Sequence, residues 1–214
     1  MQVTKLGHCC LLIETKGKRI LTDPGAFTTE AYATLSPLDV IVITHEHGDH
    51  LHVPSVAALV EQSPEVVVVC NYSVGQLLQE AGVAHQVVEG TAKAECAGVS
   101  LRAWDGPHAE IYQAVGQVPA TSYLIDETLF LPADSWSVPE YVVEVLALPV
   151  AGPWCRIADA IDFALAVKPK TVFPVHDGVL SEVGQQVTYP HPKRELSNAG
   201  MQFVALKAGE SLMC

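Results

Sequence analysis

Short apolar runs, many of them β-branched, alternate along the chain with segments in which apolar residues recur at helical spacing. The runs VTKL, CLLIET and KRILTD are typical of successive strands, and Lys16-Gly17 predicts a hairpin turn between the last two. The runs DVIVIT and EVVVVC lack polar alternation, which indicates strands covered on both faces. Further strands are predicted at VSLRAW, TSYLID, TLFLPA, YVVEVLAL, KTVFPVH and MQFVAL.

Helical segments stand between these strands. PSVAALVEQ has Pro54 at a helix start, and NYSVGQLLQEAG has a capping Asn71 and a terminating Gly82. RIADAIDFALAVK and a last segment near KRELSNAG complete the set. Strands with helices on either side, in two similar halves, predict an α/β fold with helices packed outside two central sheets. No long linker interrupts the chain, so we expect residues 1–214 to form a single domain.

Composition and charge narrow the classes of protein. The 214 residues are 49% hydrophobic and 17% charged, as in a compact globular chain. The 24 acidic and 12 basic residues give a net charge of −12, which opposes binding to nucleic acid and to anionic membrane surfaces. No apolar run reaches the roughly 20 residues of a membrane span, and the N-terminus lacks signal-peptide features. We therefore expect a cytoplasmic protein.

The chain contains six cysteines but no C-x-x-C pair. Cys9 and Cys10 are neighbours in a predicted strand, where successive side chains point to opposite faces, so a bond between them is not expected. In a chain of this length without an export signal, reduced thiols are the favoured interpretation.

The stretch THEHGDH, from Thr44 to His50, gathers three histidines and two carboxylates directly after the run DVIVI. At a strand end, His45 and His47 can converge on one point, and Asp49 and His50 can turn to another point beyond Gly48. Imidazole nitrogens and carboxylate oxygens are the ligands that hold zinc and similar divalent metals. The helical H-E-x-x-H motif does not fit, because residue 49 is Asp and Gly48 would interrupt a helix.

A site for two metals needs more ligands than this stretch offers, and later strand ends supply them. His108 follows VSLRAW through a predicted loop at 105–107, Asp134 follows TLFLPA, and His176 follows KTVFPV. Each residue alone is more typical of a helix cap or a surface group. Three of them at the ends of successive strands indicate a shared site.

With these residues in place, the chain resembles the metallo-β-lactamase superfamily, whose H-x-H-x-D-H signature stands here as His45-Glu46-His47-Gly48-Asp49-His50. The stretches GHCCLLIETKGKRILTDPG, YLIDETLFLPADSW and KPKTVFPVHDG look most similar to small bacterial hydrolases related to ascorbate-6-phosphate lactonase. The resemblance implies an αββα sandwich with the metals at one edge of the sheets. It also implies the ligand sets, which are His45, His47 and His108 for the first metal, Asp49, His50 and His176 for the second, and Asp134 as the bridge.

Two such cations would lower the pKa of a shared water until a bridging hydroxide forms near neutral pH, and would polarise a scissile carbonyl or phosphoryl group. Asp49 and Asp134 are therefore the predicted catalytic carboxylates, with Asp49 orienting the nucleophile. Zinc suits the predicted ligands, while manganese and iron are also compatible with mixed nitrogen and oxygen donors. Hydrolysis is the expected reaction.

Several other residues keep two interpretations. Asp23 either supports a ligand loop or serves as a turn residue before Pro24. His8 lies either near the metals or in the core. Trp136 and Trp154 either wall the pocket or pack in the interior. Arg156 either meets an anionic substrate or is a surface charge on the following helix. The remaining histidines, His52, His85 and His191, have no partner pattern and are interpreted as surface or loop groups.

Three functions fit these observations. We favour hydrolysis of a small anionic ester or lactone, because the chain is short and resembles the lactonase group. A phosphodiesterase or nuclease would use the same metals, but the acidic balance and the lack of a basic cluster oppose it. A non-catalytic metal-binding protein is the third hypothesis. A small-molecule substrate is thus the expected partner, and a homo-oligomer is compatible with the sequence.

Overall fold

Two seven-stranded sheets make up the centre of the computed structural model, which describes residues 1–113 and 115–214. In the first sheet the strand order is β14-β1-β2-β3-β4-β5-β6. Its strands are β1 (Gln2–Gly7), β2 (Cys10–Thr15), β3 (Lys18–Thr22), β4 (Val40–Ile43), β5 (Val67–Cys70), β6 (Gln86–Val87) and β14 (Ser211–Met213).

In the second sheet the order is β13-β12-β11-β10-β9-β8-β7. Its strands are β7 (Lys93–Cys96), β8 (Val99–Pro107), β9 (Pro119–Ile125), β10 (Leu129–Leu131), β11 (Val145–Pro149), β12 (Thr171–Val175) and β13 (Gln202–Phe203). Strands β10 to β13 are parallel, and β8 runs in the same direction because it is antiparallel to β9, which is antiparallel to β10. The carboxyl ends of β8, β10 and β12 therefore lie at one edge of the sheet.

The helices cover the outer faces of both sheets. They are α1 (Thr29–Tyr32), α2 (Val53–Gln62), α3 (Tyr72–Glu80), α4 (Ile157–Val167), α5 (Glu182–Thr188) and α6 (Pro190–Asn198), with a short 3-10 turn at Ala26–Thr28. α2 and α3 pack on the first sheet, and α4 and α6 pack on the second. The order of layers is helix, sheet, sheet, helix, which confirms the predicted αββα sandwich.

Strand β4 shows why this sequence folds as a four-layer sandwich. Val40 and Val42 point into the central core between the sheets, whereas Ile41 and Ile43 point outward to the core under α2 and α3. All four side chains are fully buried. Because both faces of the strand are covered, it needs apolar residues at every position. Since the central core uses side chains from both sheets, we propose that residues 1–214 act as one domain.

The local signals for turns and caps are confirmed. Lys16 and Gly17 both have positive φ, 50° and 75°, as a two-residue turn between β2 and β3 requires. The Asn71 side chain accepts a hydrogen bond from the amide of Val74 at the start of α3.

The six cysteines are free thiols. Within the described residues, no helix is both long and apolar enough to cross a bilayer.

Two strand boundaries differ from the sequence prediction. β8 continues through the predicted loop at 105–107, because these residues pair with β9 and Thr121 donates a hydrogen bond to Asp105 across the pair at 2.7 Å. Gly106 fits there because a Cβ atom would lie 2.1 Å from the hydroxyl oxygen of Ser137. The predicted strand YVVEVLAL begins only at Val145, and the preceding Val142 is 80% exposed. The first apolar residues of YVVEVLAL suggested a strand, but not all of their side chains are buried.

Candidate metal centre

All seven predicted ligands lie where strands end at one edge of the sandwich. β4 ends at Ile43 and leads into the loop 44–50. In the second sheet, His108 directly follows β8, Asp134 comes three residues after β10, and His176 directly follows β12. Parallel strands bring their carboxyl ends to the same edge, so these side chains meet although they are far apart in sequence.

One group of side chains gathers around a single point. One potential ligand atom of each of His45, His47, His108 and Asp134 lies within 4.8 Å of the others. The His45 Nε2 and His47 Nδ1 atoms are 3.1 Å apart, and the His108 Nε2 atom is 3.4 Å from Asp134 Oδ2. This is the set that the family resemblance implies for a first metal together with its bridging carboxylate.

The second predicted set lies on the other side of Asp134. His50 Nε2 is 3.3 Å from Asp134 Oδ1, and His176 Nε2 is 3.1 Å from Asp134 Oδ2. The Asp49 Oδ2 atom is 3.3 Å from His176 Nε2 and 3.8 Å from His50 Nε2. Asp134 therefore contacts both groups of histidines, which is the position that a bridging carboxylate needs.

Several buried ligand atoms at this centre have no hydrogen-bond partner. They are His50 Nε2, His108 Nε2, Asp134 Oδ1, His176 Nδ1 and His176 Nε2. A buried polar atom without a partner costs about 1 to 3 kcal/mol, so native proteins leave few of them. Here they cluster around one space and belong to the residue types that bind divalent metals. The donor set therefore fits one or more metal cations.

Asp23 holds one of these histidines and the loop that carries it. Its carboxylate accepts hydrogen bonds from the Thr44 amide at 2.8 Å and the Thr44 hydroxyl at 2.9 Å. It also lies 2.8 Å from His50 Nδ1. A carboxylate only accepts hydrogen bonds when ionised, so Nδ1 carries the proton and Nε2 keeps its lone pair for a metal. Of the two interpretations of Asp23, the one as support for a ligand loop agrees with these contacts.

Two further histidines are oriented by the same principle. His108 Nδ1 lies 2.7 Å from the carbonyl oxygen of Ala109, which can only accept, so His108 donates from Nδ1. His45 Nδ1 lies 3.0 Å from the Thr44 hydroxyl, whose own proton goes to Asp23. In both neutral rings Nε2 carries the lone pair and faces Asp134. The protein thus fixes the tautomer in which a metal can bind.

The electrostatics of the site favour a cation. Burial alone would lower the pKa of His50 and His176, but nearby carboxylates outweigh it. Asp134 and Asp23 raise the pKa of His50 well above its usual value, and the nearby carboxylates of Asp134 and Asp49 raise the pKa of His176 to about 9. Burial opposes ionisation of Asp49 and Asp134, yet the histidines hold the pKa of both carboxyl groups low. Without a metal, imidazolium ions supply the positive charge.

The pKa values of His45 and His47, the other two histidines of the signature, are lowered and not raised. Burial lowers the pKa of His45 and His47, and neighbouring imidazoles add to the effect. Both rings therefore stay neutral near pH 7, as a metal ligand must.

Trp154 forms a wall of the centre. Its ring centroid lies 5.8 Å from that of His108 and 5.2 Å from that of His176. Trp136 packs behind it, at 5.1 Å from Trp154 and 5.5 Å from Phe163. Of the two tryptophans that the sequence singled out, Trp154 touches the ligands and Trp136 supports Trp154.

His8 lies at the centre, although the sequence left its position open. It is only 2% exposed, and its Nε2 atom is 3.0 Å from Asp49 Oδ2. Its other ring nitrogen accepts a hydrogen bond from the amide of Gly178 at 3.2 Å. His8 is therefore close to the predicted ligands and in direct contact with one of them.

The hypothesis that Arg156 meets a distal anion gains no support from its placement. Its exposed guanidinium donates to Asp159, three residues later, with Nε 2.9 Å from Oδ2. Arg156 precedes α4 directly, so it matches the alternative interpretation as a surface charge on that helix. The remaining histidines agree with their predicted roles, since His52 contacts Ser55 and His191 is exposed.

A buried ion pair between Lys5 and Asp177 lies beside the centre and was not predicted from the sequence. The Lys5 ammonium, 1% exposed, donates to Asp177 at 2.6 Å and to the carbonyl oxygens of Pro174 and Leu206 at 2.8 and 3.2 Å. The Tyr189 hydroxyl also donates to Asp177. One signal was present in the sequence: Lys5 alternates with Val3 and Gly7 on the inward face of β1.

Comparison with known proteins identifies the family of this chain. Residues 2–176 match the family model described as the beta-lactamase superfamily domain. Protein Rv0786c of Mycobacterium tuberculosis is 32% identical over 194 residues, covering 88% of this chain and 90% of that protein. A UPF0173 metal-dependent hydrolase of Carboxydothermus hydrogenoformans is 26% identical over 82% of this chain and 84% of its own length.

The fold is also similar to a solved structure. Igni18, described as a novel metallo hydrolase from the archaeon Ignicoccus hospitalis, superposes with a TM-score of 0.77 at 19% identity, covering 99% of this chain and 97% of that chain. At this identity the likeness concerns the fold. The family match and the identity to the mycobacterial protein show that this chain belongs to the beta-lactamase superfamily.

Proposed function

We propose that this protein is a hydrolase that uses two divalent metal ions, most simply Zn²⁺, to cleave a small anionic ester or lactone. The broader class, a metal-dependent hydrolase of the metallo-β-lactamase fold, follows from its family, from relatives named metal-dependent hydrolases and from its cluster of possible ligands. The observation that carries the proposal is the set of buried, unpartnered ligand atoms that surrounds Asp134.

Each ligand has a proposed place. His45, His47 and His108 would hold one metal, and Asp49, His50 and His176 the other, with Asp134 shared between them. When bound, such a pair of cations activates water and polarises the scissile carbonyl oxygen. Manganese and iron are compatible alternatives to zinc.

The residues of the chain would then orient the reaction. Asp49 is the carboxylate at the solvent side of the centre, with its side chain 21% exposed, whereas the side chain of Asp134 is 2% exposed. An ionised Asp49 can accept a hydrogen bond from the attacking water and so fix its direction of approach. Trp154 would exclude bulk water from the opposite side, where it contacts His108 and His176.

The anionic character of the substrate rests on the distribution of lysines. A cavity of about 820 Å³ next to the centre is lined by Lys193 and Lys207, and also by His8, Glu182 and the paired Asp177. Neither lysine forms an ion pair with a described residue, whereas Lys16, Lys18 and most other cations do. In a chain with a net charge of −12, two free ammonium groups in one cavity suit the distal anion of a substrate. The resemblance to the lactonase group points to the same class.

A cytoplasmic location is part of the proposal. Its support is the set of six free cysteines, including the exposed Cys214, which is typical of a reducing compartment.

A hydrolysis screen tests the reaction type. The zinc-loaded and manganese-loaded protein would be assayed with a lactone, a linear ester, a thioester and a phosphodiester, each with and without a distal carboxylate or phosphate. We expect turnover of the anionic lactone or ester and at least a hundredfold loss in His176→Ala. His191→Ala, an exposed histidine, is the matched control and should retain activity. Turnover of the phosphodiester alone would instead favour the phosphodiesterase alternative.

The lysines are tested in the same assay. Lys193→Ala/Lys207→Ala should raise KM for the anionic substrate about tenfold and leave a neutral analogue unchanged. Lys93→Ala is the control, because Lys93 is exposed on β7 and has no ion pair with a described residue. Equal changes for the anionic and the neutral substrate would contradict the proposed role.

A further inference from the structure

His8 occupies a strained position beside the metal centre. It lies in the two-residue turn between β1 and β2, with a φ of 51°, in the left-handed region. This conformation is sterically unfavourable for a residue other than glycine. Where such strain persists in a buried residue, a function of that residue is a reasonable hypothesis.

The hydrogen bonds of His8 define which nitrogen carries the proton. The Gly178 amide can only donate, so Nδ1 of His8, at 3.2 Å, is the acceptor and carries no proton. In the neutral ring the proton is then on Nε2, which faces Asp49 Oδ2 at 3.0 Å. His8 therefore donates a hydrogen bond to Asp49.

The ring of His8 has little freedom to turn. Its ring centroid lies 4.1 Å from that of His176 and 5.1 Å from that of Phe27, and both contacts are tilted. On another side, a Cβ atom added to Gly178 would lie only 3.0 Å from its Nδ1 atom. Packing thus aims the Nε2 proton at a fixed point.

Asp49 is the predicted ligand that most needs such support. Its side chain is 21% exposed, compared with 0% for His45 and His50 and 2% for His176. A partly exposed carboxylate on a loop can rotate away from a metal unless another group holds it. Among the described residues, His8 makes the shortest polar contact to the Asp49 carboxylate, at 3.0 Å.

We infer that His8 is a positioning residue that holds Asp49 in the orientation needed to bind a metal and to orient water. The inference rests on the proposed function in one respect, the assignment of Asp49 as a metal ligand. One ligand atom of His8 lies within 4.8 Å of ligand atoms of Cys9, His50 and His176. His8 is nevertheless proposed as a positioning residue and not as a ligand, because its Nε2 atom carries the proton that forms the hydrogen bond to Asp49.

A competing role is purely structural. His8 also accepts the Gly178 hydrogen bond, and its carbonyl oxygen accepts one from the His176 amide at 3.2 Å. Through these contacts His8 could serve only to dock the loop 176–178 on the turn at the end of β1. The two roles use different ring nitrogens, because Nε2 donates a hydrogen bond to Asp49 and Nδ1 accepts one from the loop 176–178.

Two conservative substitutions exploit this separation. In His8→Gln, the side-chain amide reaches the position of Nε2 and can donate to Asp49. In His8→Asn, the shorter side chain reaches only the position of Nδ1 and can accept from Gly178. Asparagine also tolerates the left-handed conformation better than glutamine, so the Asn variant should be the more stable protein.

The measurement is metal retention by the full-length, metal-loaded protein in competition with a chromophoric zinc chelator. We expect His8→Asn and His8→Ala to bind the weaker of two zinc ions at least tenfold less tightly than the unmodified protein, and His8→Gln to remain within about threefold. Thermal unfolding of the same samples should rank the Asn variant at or above the Gln variant. The more stable variant would thus be the one that loses metal.

Three results would overturn the inference. They are unchanged retention in all three variants, retention by Asn but not by Gln, and equal loss in all three. A double-mutant cycle adds an independent check, since His8→Asn should weaken zinc binding less than threefold further in an Asp49→Ala background. Additive losses in that background would contradict a role through Asp49. Because zinc retention is the readout, a protein without activity on any substrate would count against the proposed function and leave this test intact.

Discussion

Two buried polar clusters lie side by side in this protein, and they differ in how their hydrogen bonds are satisfied. In the cluster around Lys5, the ammonium has three acceptors, and Asp177 accepts hydrogen bonds from Lys5 and Tyr189. In the cluster around Asp134, five buried ligand atoms have no partner. The first cluster satisfies its polar groups within the protein, whereas the second presents donor atoms that a cation could bind.

This difference distinguishes charged residues that stabilise the fold from charged residues that are available to a ligand. We call the cluster around Lys5 the closed cluster and the cluster around Asp134 the open cluster. His176 and Asp177 are adjacent in sequence, yet His176 belongs to the open cluster and Asp177 to the closed cluster. Lys5 binds the carbonyl oxygen of Pro174 on β12, which leads directly to His176. The closed cluster therefore fixes the strand end on which the open cluster is built.

The largest expected effect is the loss of the closed cluster. Lys5→Met should lower the free energy of unfolding by about 3 to 5 kcal/mol, because it leaves the buried Asp177 without its cation. Urea unfolding with and without metal would measure it. Lys16→Met is the matched control: its ammonium is 65% exposed beside Asp126, and its loss should cost under about 1 kcal/mol. Similar losses in the two variants would mean that the Lys5 cluster is not a special element of stability.

The next effect is on the open cluster. Asp134→Asn keeps the size of the side chain but removes the charge between the two histidine groups, so it should weaken the second metal and lower kcat at least tenfold. Circular dichroism should show an unchanged fold. Unchanged turnover and metal content would remove Asp134 from the centre.

Much of the open cluster was predictable from sequence, for a physical reason. Strand ends are marked by local apolar runs, and His108, Asp134 and His176 each follow one, so their convergence follows from parallel strands in one sheet. The signature His45 to His50 is entirely local. The four-layer architecture was predictable for the same reason, since the fully apolar β4 required cover on both faces.

The contacts of the closed cluster and of His8 were not predictable, because their partners come from distant parts of the chain. Lys5 and Asp177 are 172 residues apart, and His8 and Gly178 are 170 apart. Helix α5 was missed because it is short and has no buried residues, and its two apolar side chains, Val183 and Val187, are exposed. The short β14 was missed because its pairing with β1 joins the two ends of the chain.

The pH dependence of metal binding sharpens the comparison further. Burial opposes protonation of His176, but Asp134 and Asp49 raise its pKa to about 9, so at pH 7 a metal must displace a proton from it. Zinc binding should therefore release protons and tighten as the pH rises toward 9. Calorimetry in buffers of different ionisation enthalpy would count these protons, and no release at pH 7 would contradict the raised pKa.

The same pKa fixes the sign of a stability effect in the metal-free protein. A folded pKa above the unfolded value of about 6.5 stabilises the fold fully below that pH, and the contribution is lost as the pH rises through about 9. The metal-free protein should thus lose stability between pH 6.5 and 9, and the metal-loaded protein should not show this loss.

The smallest expected effect concerns Arg156. Because its exposed guanidinium is paired with Asp159, Arg156→Ala should change KM for an anionic ester less than twofold. The Lys193→Ala/Lys207→Ala variant in the same assay is the comparison. A tenfold rise in KM for Arg156→Ala would restore the interpretation of this residue as the contact for the distal anion.

The central claim is that the seven residues grouped around and including Asp134 bind two metal ions. Elemental analysis of the purified full-length protein, after reconstitution with zinc and removal of excess metal, tests it most directly. The account predicts about two zinc ions per chain, falling to one or fewer in His176→Ala and remaining at two in His191→Ala. Less than one zinc ion per chain after reconstitution with zinc, and also less than one manganese ion with manganese, would contradict it.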